Sequence, residues 1–295
     1  MMDGFININK EPGWTSHDVV AALRGILRQK KIGHAGTLDP AAQGVLPVCL
    51  GKATRLAEYA AQCGKRYRGE ITFGIGTDSY DAEGRVVEQK AAGHLKKEAV
   101  EAALASFTGE IEQTPPMVSA LKFRGEPLYK LARKGVEIER PARRVTVHGI
   151  ETVGYTEGEN PRLTIDITCS KGTYIRSLAH DLGRSLSVCA HLSALCRLAV
   201  GPFSLPEAYT VAQVKELVAR QSWDFLLPMS IGVAALPSFT VSGPEKKKLL
   251  CGVPVALSPR EDAEPLAVLD EIGVLLGVGR IKGAVLYMDK VLAAE

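Results

Sequence analysis

The sequence predicts an α+β protein with one large and one small domain. Three observations carry this reading. Two long segments alternate apolar and polar residues with the period of a strand, and amphipathic helical patterns are scattered between them without regular strand–helix repetition. Residues 236–295 show short strand patterns but no long helical one.

The chain has 295 residues, 46% hydrophobic and 23% charged, which suits a folded core and excludes a disordered chain. No run of about 18 uncharged apolar residues occurs, so no membrane span is expected. The nearest candidate, residues 266–288, is interrupted by Asp270, Glu271, Arg280 and Lys282. The first ten residues lack a basic region followed by an apolar core, and the expectation is a cytoplasmic protein. Six cysteines (Cys49, Cys63, Cys169, Cys189, Cys196, Cys251) are scattered without zinc-ligand spacing and read as reduced, mostly buried thiols.

Taken in order, Thr15 with Asp18 three residues later reads as a capped helix start. Val19, Val20, Leu23, Ile26 and Leu27 follow at helical spacing, and Arg28, Lys30 and Lys31 give the helix a basic exit. Residues 33–47, rich in Gly, Pro and Thr, read as a loop. Tyr67, Ile71, Phe73 and Ile75 then define one face of a strand over residues 65–75, with turn residues from 74 to 84. A helix over 99–107 is expected to end before Gly109. Leu163, Ile165, Ile167 and Cys169 mark a second strand, which runs into a helix containing Leu178, Leu182 and Leu186. Thr210 starts a further helix, and a domain boundary falls between Leu227 and Pro237. Residues 273–280 and 284–288, separated by 281–283, read as a hairpin in the small domain.

The densest loop contains Gly33, His34, Gly36, Thr37 and Asp39. It offers backbone N–H groups and one anionic side chain on a stiffened turn. A site for chemistry and a plain tight turn capped by Asp39 both fit these residues. No Gly-Lys-Ser/Thr closes the loop, which excludes a nucleotide-hydrolase phosphate loop. A calcium loop over 74–84 fails because Lys90 stands where a bidentate Glu is needed.

The net charge of +3 is too weak to announce a nucleic-acid partner, but it is unevenly spread. Residues 122–144 hold eight cations (Lys122, Arg124, Lys130, Arg133, Lys134, Arg140, Arg143, Arg144) against three acids, net +5, which leaves the rest of the chain at −2.

Six blocks lie in order along residues 4 to about 204: Lys10 to Ser16; Gly33 to Pro40 with Gly44-Val45-Leu46; Lys65-Arg66-Tyr67-Arg68; Gly76-Thr77-Asp78 through Asp81 to Gly84; Gln113 to Pro116 with Ser119 to Lys122; and Cys169 to Arg176. Together they resemble the TruB-type tRNA pseudouridine synthases, which isomerise uridine 55 of the T arm. The resemblance implies a pseudouridine synthase fold, with a mixed, mainly antiparallel sheet flanked by helices and loops over residues 1–234. It also implies an RNA-binding thumb-like insertion at about 113–145. Residues 235–295 resemble, more loosely, a small β-barrel of the PUA type that meets the acceptor end of tRNA.

The resemblance makes Asp39 the essential carboxylate. An aspartate is ionised at neutral pH, able to attack covalently and poorly suited to act as a general base. It pairs Arg176 with that carboxylate, and it gives Tyr67 the role of stacking on the target base and assisting proton removal. His34 would brace the flipped base's loop, and Leu195 would line the uracil pocket. Lys10, Asp81 and Tyr174 would contact RNA or support the site. Lys122, Arg124, Arg133, Lys134, Arg143 and Arg144 would track phosphates. The resemblance implies no cofactor, no metal, no obligatory protein partner and a monomer acting on tRNA unaided, since guide-dependent relatives lack a comparable insertion. Two alternatives stay open: a tRNA-folding chaperone and a guide-dependent subunit. Two positions depart from the family pattern. Val118 replaces a frequent aromatic residue, which bears on thumb packing, and Cys196 replaces a frequent Arg, removing an RNA or carboxylate contact.

Overall fold

Thr15 begins the first helix as its spacing predicts. Its hydroxyl accepts from the Asp18 N–H at 3.1 Å while the Asp18 carboxylate accepts from the Thr15 N–H at 2.8 Å, a reciprocal cap on α1 (Ser16–Leu27). Arg28 ends the helix in the left-handed conformation, and Val19, Val20 and Leu23 face the core. The computed structural model describes residues 2–119, 121–123 and 125–292, without the side chains of Lys122 and Arg133.

Before α1 lies β1 (Gly4–Lys10); after it come β2 (Ile32–His34), β3 (Gln43–Leu50), α2 (Ala57–Gln62), β4 (Lys65–Phe73), β5 (Ile75–Thr77) and β6 (Val86–Gln89). The middle of the chain forms α3 (Lys97–Ala105), β7 (Gly109–Gln113), β8 (Lys122–Phe123), β9 (Glu126–Pro127), α4 (Leu128–Arg133), β10 (Arg143–Thr156) and β11 (Arg162–Cys169). Then follow α5 (Ile175–Ser185), β12 (Ala190–Val200), β13 (Phe203–Ser204) and α6 (Val211–Ala219). The last part holds β14 (Ser238–Val241), α7 (Gly243–Leu250), β15 (Val255–Ala256), β16 (Ala263–Asp270), β17 (Leu275–Lys282) and β18 (Val285–Val291).

Among the described residues a nine-stranded sheet runs β1-β3-β12-β4-β11-β10-β7, with β2 on β3 and β13 on β12. It is mixed and mainly antiparallel, since within it β12 meets β3 in parallel. This register sets Gly44, Arg197 and Tyr67 side by side across three strands. On one side α5 packs Leu178 and Leu182 against Ile71, Ile165, Ile167 and Leu192. A second core joins α1 and α6 to β1 and β3 through Ile6, Ile8, Leu23, Leu46, Val48 and Val214.

A curled five-stranded sheet, β14-β16-β17-β18-β15, forms a small barrel-like unit with its own core of Val241, Leu249, Val268, Leu276 and Leu286. It also shares apolar packing with the large sheet, where Leu275, Val278 and Leu292 join Phe5, Leu56 and Ala60. At this junction Lys290 pairs with Glu58 and lies over the Tyr59 ring at 4.7 Å.

The structure revises several boundaries read from sequence. Residues 33–47 are not one loop: β2 and β3 flank a shorter loop at 35–42. Val45, Leu46, Val48, Cys49 and Leu50 are all fully buried, so β3 lacks the polar alternation that marks a half-buried strand. The strand expected over 65–75 stops at Phe73. Gly74 turns there with φ 92°, where a Cβ would meet the Asn160 side chain at 2.6 Å, and β5 belongs to a separate hairpin with β6. The last hairpin turns on Gly283 and Ala284, both left-handed, so Ile281 and Lys282 pair within β17 rather than forming the turn. Cys49, Cys169 and Cys189 are buried, Cys63 and Cys196 half-buried and Cys251 exposed. Among the described residues no helix is long and apolar enough to cross a membrane.

Gly44 allows the contact of β3 with β12. Its φ is 105°, and a Cβ would lie 2.3 Å from the Arg197 carbonyl oxygen. Gly44→Ala is therefore expected to destabilise the fold by about 2–4 kcal/mol, read as a lowered urea midpoint with an unchanged slope.

Candidate functional site at the Asp39 loop

The 35–42 loop is tied down by backbone and by two buried cations. The Ala35 N–H donates to the Pro47 carbonyl at 2.9 Å, the Gly13 N–H to Pro40 at 2.9 Å and the Ala42 N–H to Asp39 at 3.2 Å. Ser16 Oγ accepts from the Leu38 N–H at 3.0 Å and donates to the Leu38 carbonyl at 3.2 Å. Lys10 is fully buried, and its ammonium donates to the carbonyls of Trp14 at 2.7 Å, Glu11 at 3.0 Å and Pro40 at 3.0 Å. Lys10 thus braces the loop and does not reach the surface. Arg197, also buried, donates to Val45 at 2.6 Å and to Gly36 and Thr37 at 3.2 Å each. A buried carbonyl without a partner costs about 1–3 kcal/mol, so each cation stabilises the loop by meeting several.

Arg176 stands in the first turn of α5. That start is fixed by Gln113, whose side chain accepts from the Tyr174 N–H at 2.7 Å and donates to the Tyr174 carbonyl at 3.0 Å. A helix N-terminus disfavours a cation. Arg176 is nevertheless only 4% exposed, because two carboxylates compensate its charge: Asp39 at 3.0 Å and Asp81 at 3.3 Å. Its remaining donors reach the carbonyls of Val118 at 2.8 Å and Ser79 at 3.2 Å. Asp81 is 14% exposed and Asp39 is 41% exposed, so Asp39 is the carboxylate of this node that opens outward.

Tyr67 lies on the buried face of β4, in the same core as half-buried Leu195. Burial pushes its phenol up, while the Arg197 guanidinium beside it acts in the opposite direction. Burial likewise raises the half-buried Tyr174, with the nearby Arg176 charge acting in the opposite direction. His34 ends β2 half-buried, edge-on to His17 at 5.5 Å, and burial followed by the nearby His17 lowers its affinity for a proton. Lys10, Tyr67 and Tyr174 lie within electrostatic reach of Asp39, Arg176 joins Asp39 to Asp81, and His34 is set toward His17 and Arg197. Among the described residues no group of three or more His, Cys, Asp or Glu is placed to hold a metal ion.

The basic segment hangs between β7 and β10, where Arg143 pairs with Gln113 at the sheet edge. Its root is attached to α5, since Ser177 Oγ donates to the Thr114 carbonyl at 2.8 Å. Arg143 and Arg144 are exposed, and Arg144 lies 3.9 Å from Glu110. Lys134 pairs with Glu126 at 2.7 Å and Arg140 meets Glu137 at 4.0 Å, so two of the segment's three acids are engaged by its own cations. Arg124 lies outside the described residues, as do the side chains of Lys122 and Arg133.

Of the two departures, Val118 meets Arg176 through its backbone carbonyl, a contact its side chain does not determine. Cys196 pairs across the sheet with Arg68, and the charges near its thiol are Arg68 and Asp166. Sequence reasoning passed over Arg197 and Ser16. The signal for Arg197 was a lone cation in an otherwise uncharged run from Ala190 to Val200.

Burial pushes the Lys10 ammonium down from 10.5 to about 8, Asp39 opposing and Arg197 adding to the fall. Lys65 is also pushed down to about 8, by burial and then by Arg197. Between about pH 8 and 10.5 the unfolded chain holds protons that the folded chain has released. Stability from these groups therefore rises with pH through that window and is lost as pH falls through 8. Lys10→Met is expected to remove roughly half of the rise, measured by urea unfolding across the window.

Residues 24–175 match the family model described as TruB family pseudouridylate synthase, N-terminal domain, and residues 176–233 match the tRNA pseudouridylate synthase B C-terminal domain. A tRNA pseudouridine synthase B of Symbiobacterium thermophilum is 52% identical over 256 residues, covering 87% of this chain and 84% of the relative. That of Streptococcus pyogenes serotype M2 is 44% identical over 265 residues, covering 88% and 90%. Among solved structures, a Cbf5-Nop10-Gar1 complex contains a chain of 28% identity and TM-score 0.77, covering 98% of this chain and 85% of that one. An H/ACA RNP bound to a substrate RNA gives 26% identity and TM-score 0.75, covering 99% and 85%. With an open carboxylate held by a buried arginine on this fold, and relatives matched over most of its length, the chain belongs to the TruB family of pseudouridylate synthases.

Proposed function

We propose that the chain isomerises uridine 55 in the T loop of tRNA to pseudouridine, with Asp39 as the catalytic carboxylate. The observation that carries this reading is the Asp39–Arg176 pair, in which a buried guanidinium orients a carboxylate that stays 41% open. The reaction breaks the N1–C1′ glycosidic bond, turns the uracil and forms a C5–C1′ bond. The proton at C5 leaves and N1 ends protonated, so atoms balance without an oxidant or a hydrolysed nucleotide.

Asp39 forms the transient adduct that allows the glycosidic bond to break. Attack at the pyrimidine ring and attack at ribose C1′ make the same demand, an ionised carboxylate aimed by its neighbours. Tyr67 and Leu195 hold the base, and the Tyr67 hydroxyl beside Arg197 assists departure of the C5 proton. A stacked base must first be extruded, at a cost of a few kcal/mol, and His34 and Tyr174 brace the opened loop. Asp81 and Lys10 support the node and the loop beneath it.

The segment at about 113–145 closes on the T stem as a thumb, with its cations Lys122, Arg124, Arg133, Arg143 and Arg144 tracking phosphates. The domains divide at residues 234 and 235, and the small sheet, as a PUA-like unit, meets the acceptor end. Lys246 is engaged by Asp270 at 2.9 Å there, and Lys247 and Lys248 are exposed. The protein acts in the cytoplasm as a monomer without an obligatory partner. Identities of 44–52% to proteins named tRNA pseudouridine synthase B, against 26–28% to chains of H/ACA complexes, favour a guide-independent enzyme.

The test is sequencing-based mapping of pseudouridine in unmodified tRNA incubated with the purified chain and with Asp39→Asn. The wild-type chain should modify position 55 without any guide. Asp39→Asn should bind the same tRNA but lose more than about a thousandfold in rate. Product at wild-type levels from Asp39→Asn would refute the assignment, and no product without added guide RNA would favour the guide-dependent alternative.

A further inference from the structure

Two of the four groups that satisfy Arg176 come from one short loop, through the Ser79 carbonyl and the Asp81 carboxylate. Tyr80, between them, has a φ of 64°, a left-handed conformation that side-chain-bearing residues other than Asn and Asp seldom adopt. Such strain costs about 1–3 kcal/mol and persists only when the surroundings impose it. Two contacts impose it here. The Tyr80 carbonyl accepts from the Leu192 N–H at 3.0 Å, which ties the loop to β12. The Tyr80 ring stacks on His180, with centroids 4.0 Å apart and planes 15° from parallel.

His180 lies four residues beyond Arg176 on α5, hence on the same face of that helix. The stack therefore joins the loop that supplies Ser79 and Asp81 to the helix that carries Arg176. Within the loop, Thr77 Oγ1 donates to the Asp81 carbonyl at 2.7 Å and Asp78 accepts from the Arg85 N–H at 2.9 Å, so the loop is internally braced. These bonds fix its shape, whereas the ring contact fixes its distance from α5. The charges nearest the His180 ring are Arg184 on α5 and Glu88 on β6.

We propose that the Tyr80–His180 stack is a positioning device for Arg176: it holds the left-handed turn that delivers Ser79 and Asp81 to the guanidinium, and so sets the aim of Asp39. This rests on the reading of Asp39 as the catalytic carboxylate. Neither ring touches the reacting atoms; both act through Arg176. A displaced guanidinium turns the carboxylate away from the reacting carbon, and displacements of about 1 Å cost up to about a hundredfold in rate. Neither Tyr80 nor His180 is assigned to RNA contact, so the loss is expected in the chemical step.

The test compares single-turnover pseudouridine formation, tRNA Kd and melting temperature for the full chain and four variants. His180→Ala should slow the single-turnover rate about tenfold while tRNA Kd stays within about twofold. His180→Phe, which keeps an aromatic face, should recover most of that rate. Tyr80→Asn tolerates the left-handed turn but removes the ring, and it should show the same loss, so the idea stays testable if His180→Ala folds poorly. A wild-type rate in the variants lacking the ring contact, an equal loss in His180→Phe, or a loss confined to Kd would each overturn the proposal. Asp39→Asn in the same assay separates the two levels. If it is inactive while His180→Ala is normal, only the stack is wrong; if it is active, the reading of Asp39 itself fails.

Discussion

A guanidinium taken out of water needs a full set of partners, and the site is arranged around meeting that need for Arg176. Burying a lone ion costs several kcal/mol, a penalty offset only by close countercharges and hydrogen bonds. Here two carboxylates and two carbonyls meet it, drawn from the Asp39 loop, the 78–81 turn and the root of the basic segment. Three pieces of chain distant in sequence are thereby fixed against one helix start. The same requirement leaves Asp39 as the one carboxylate of the node with an open side.

Two further buried cations serve a different purpose. Lys10 and Arg197 are matched mainly to backbone carbonyls, so their charge is directed at the peptide groups of the Asp39 loop. The sheet register explains how Arg197 gets there. It stands between Gly44 and Tyr67 on neighbouring strands, and the absence of a side chain at Gly44 lets β3 lie against its backbone. A rigid loop over a cationic floor suits chemistry that depends on aiming one carboxylate, because the geometry is set before substrate arrives.

Features governed by local physics were legible in the sequence. The Thr15 cap, the alternation of β4 and β11 and the small-domain hairpin all formed within a few residues of expectation. Features governed by tertiary burial were not. β3 is buried throughout and lost the alternation that marks a strand. The Asp39, Tyr67 and Arg176 positions followed from motif resemblance, and the structure places the Asp39–Arg176 contact at 3.0 Å. Arg197 escaped notice because its partners are carbonyls, and carbonyls leave no mark on a residue pattern. Segmental charge located the basic excursion but overstated its free charge, since Glu110, outside the segment, lies beside Arg144.

If Asp81 matters only through Arg176, the two residues are energetically coupled. The most direct measurement is a double-mutant cycle on the single-turnover rate with Asp81→Asn, Arg176→Lys and the double variant. Coupling through one guanidinium predicts that the double variant is no slower than Arg176→Lys alone. A double variant whose loss equals the product of the two single losses would show independent roles and contradict the Arg176 node as the organising element.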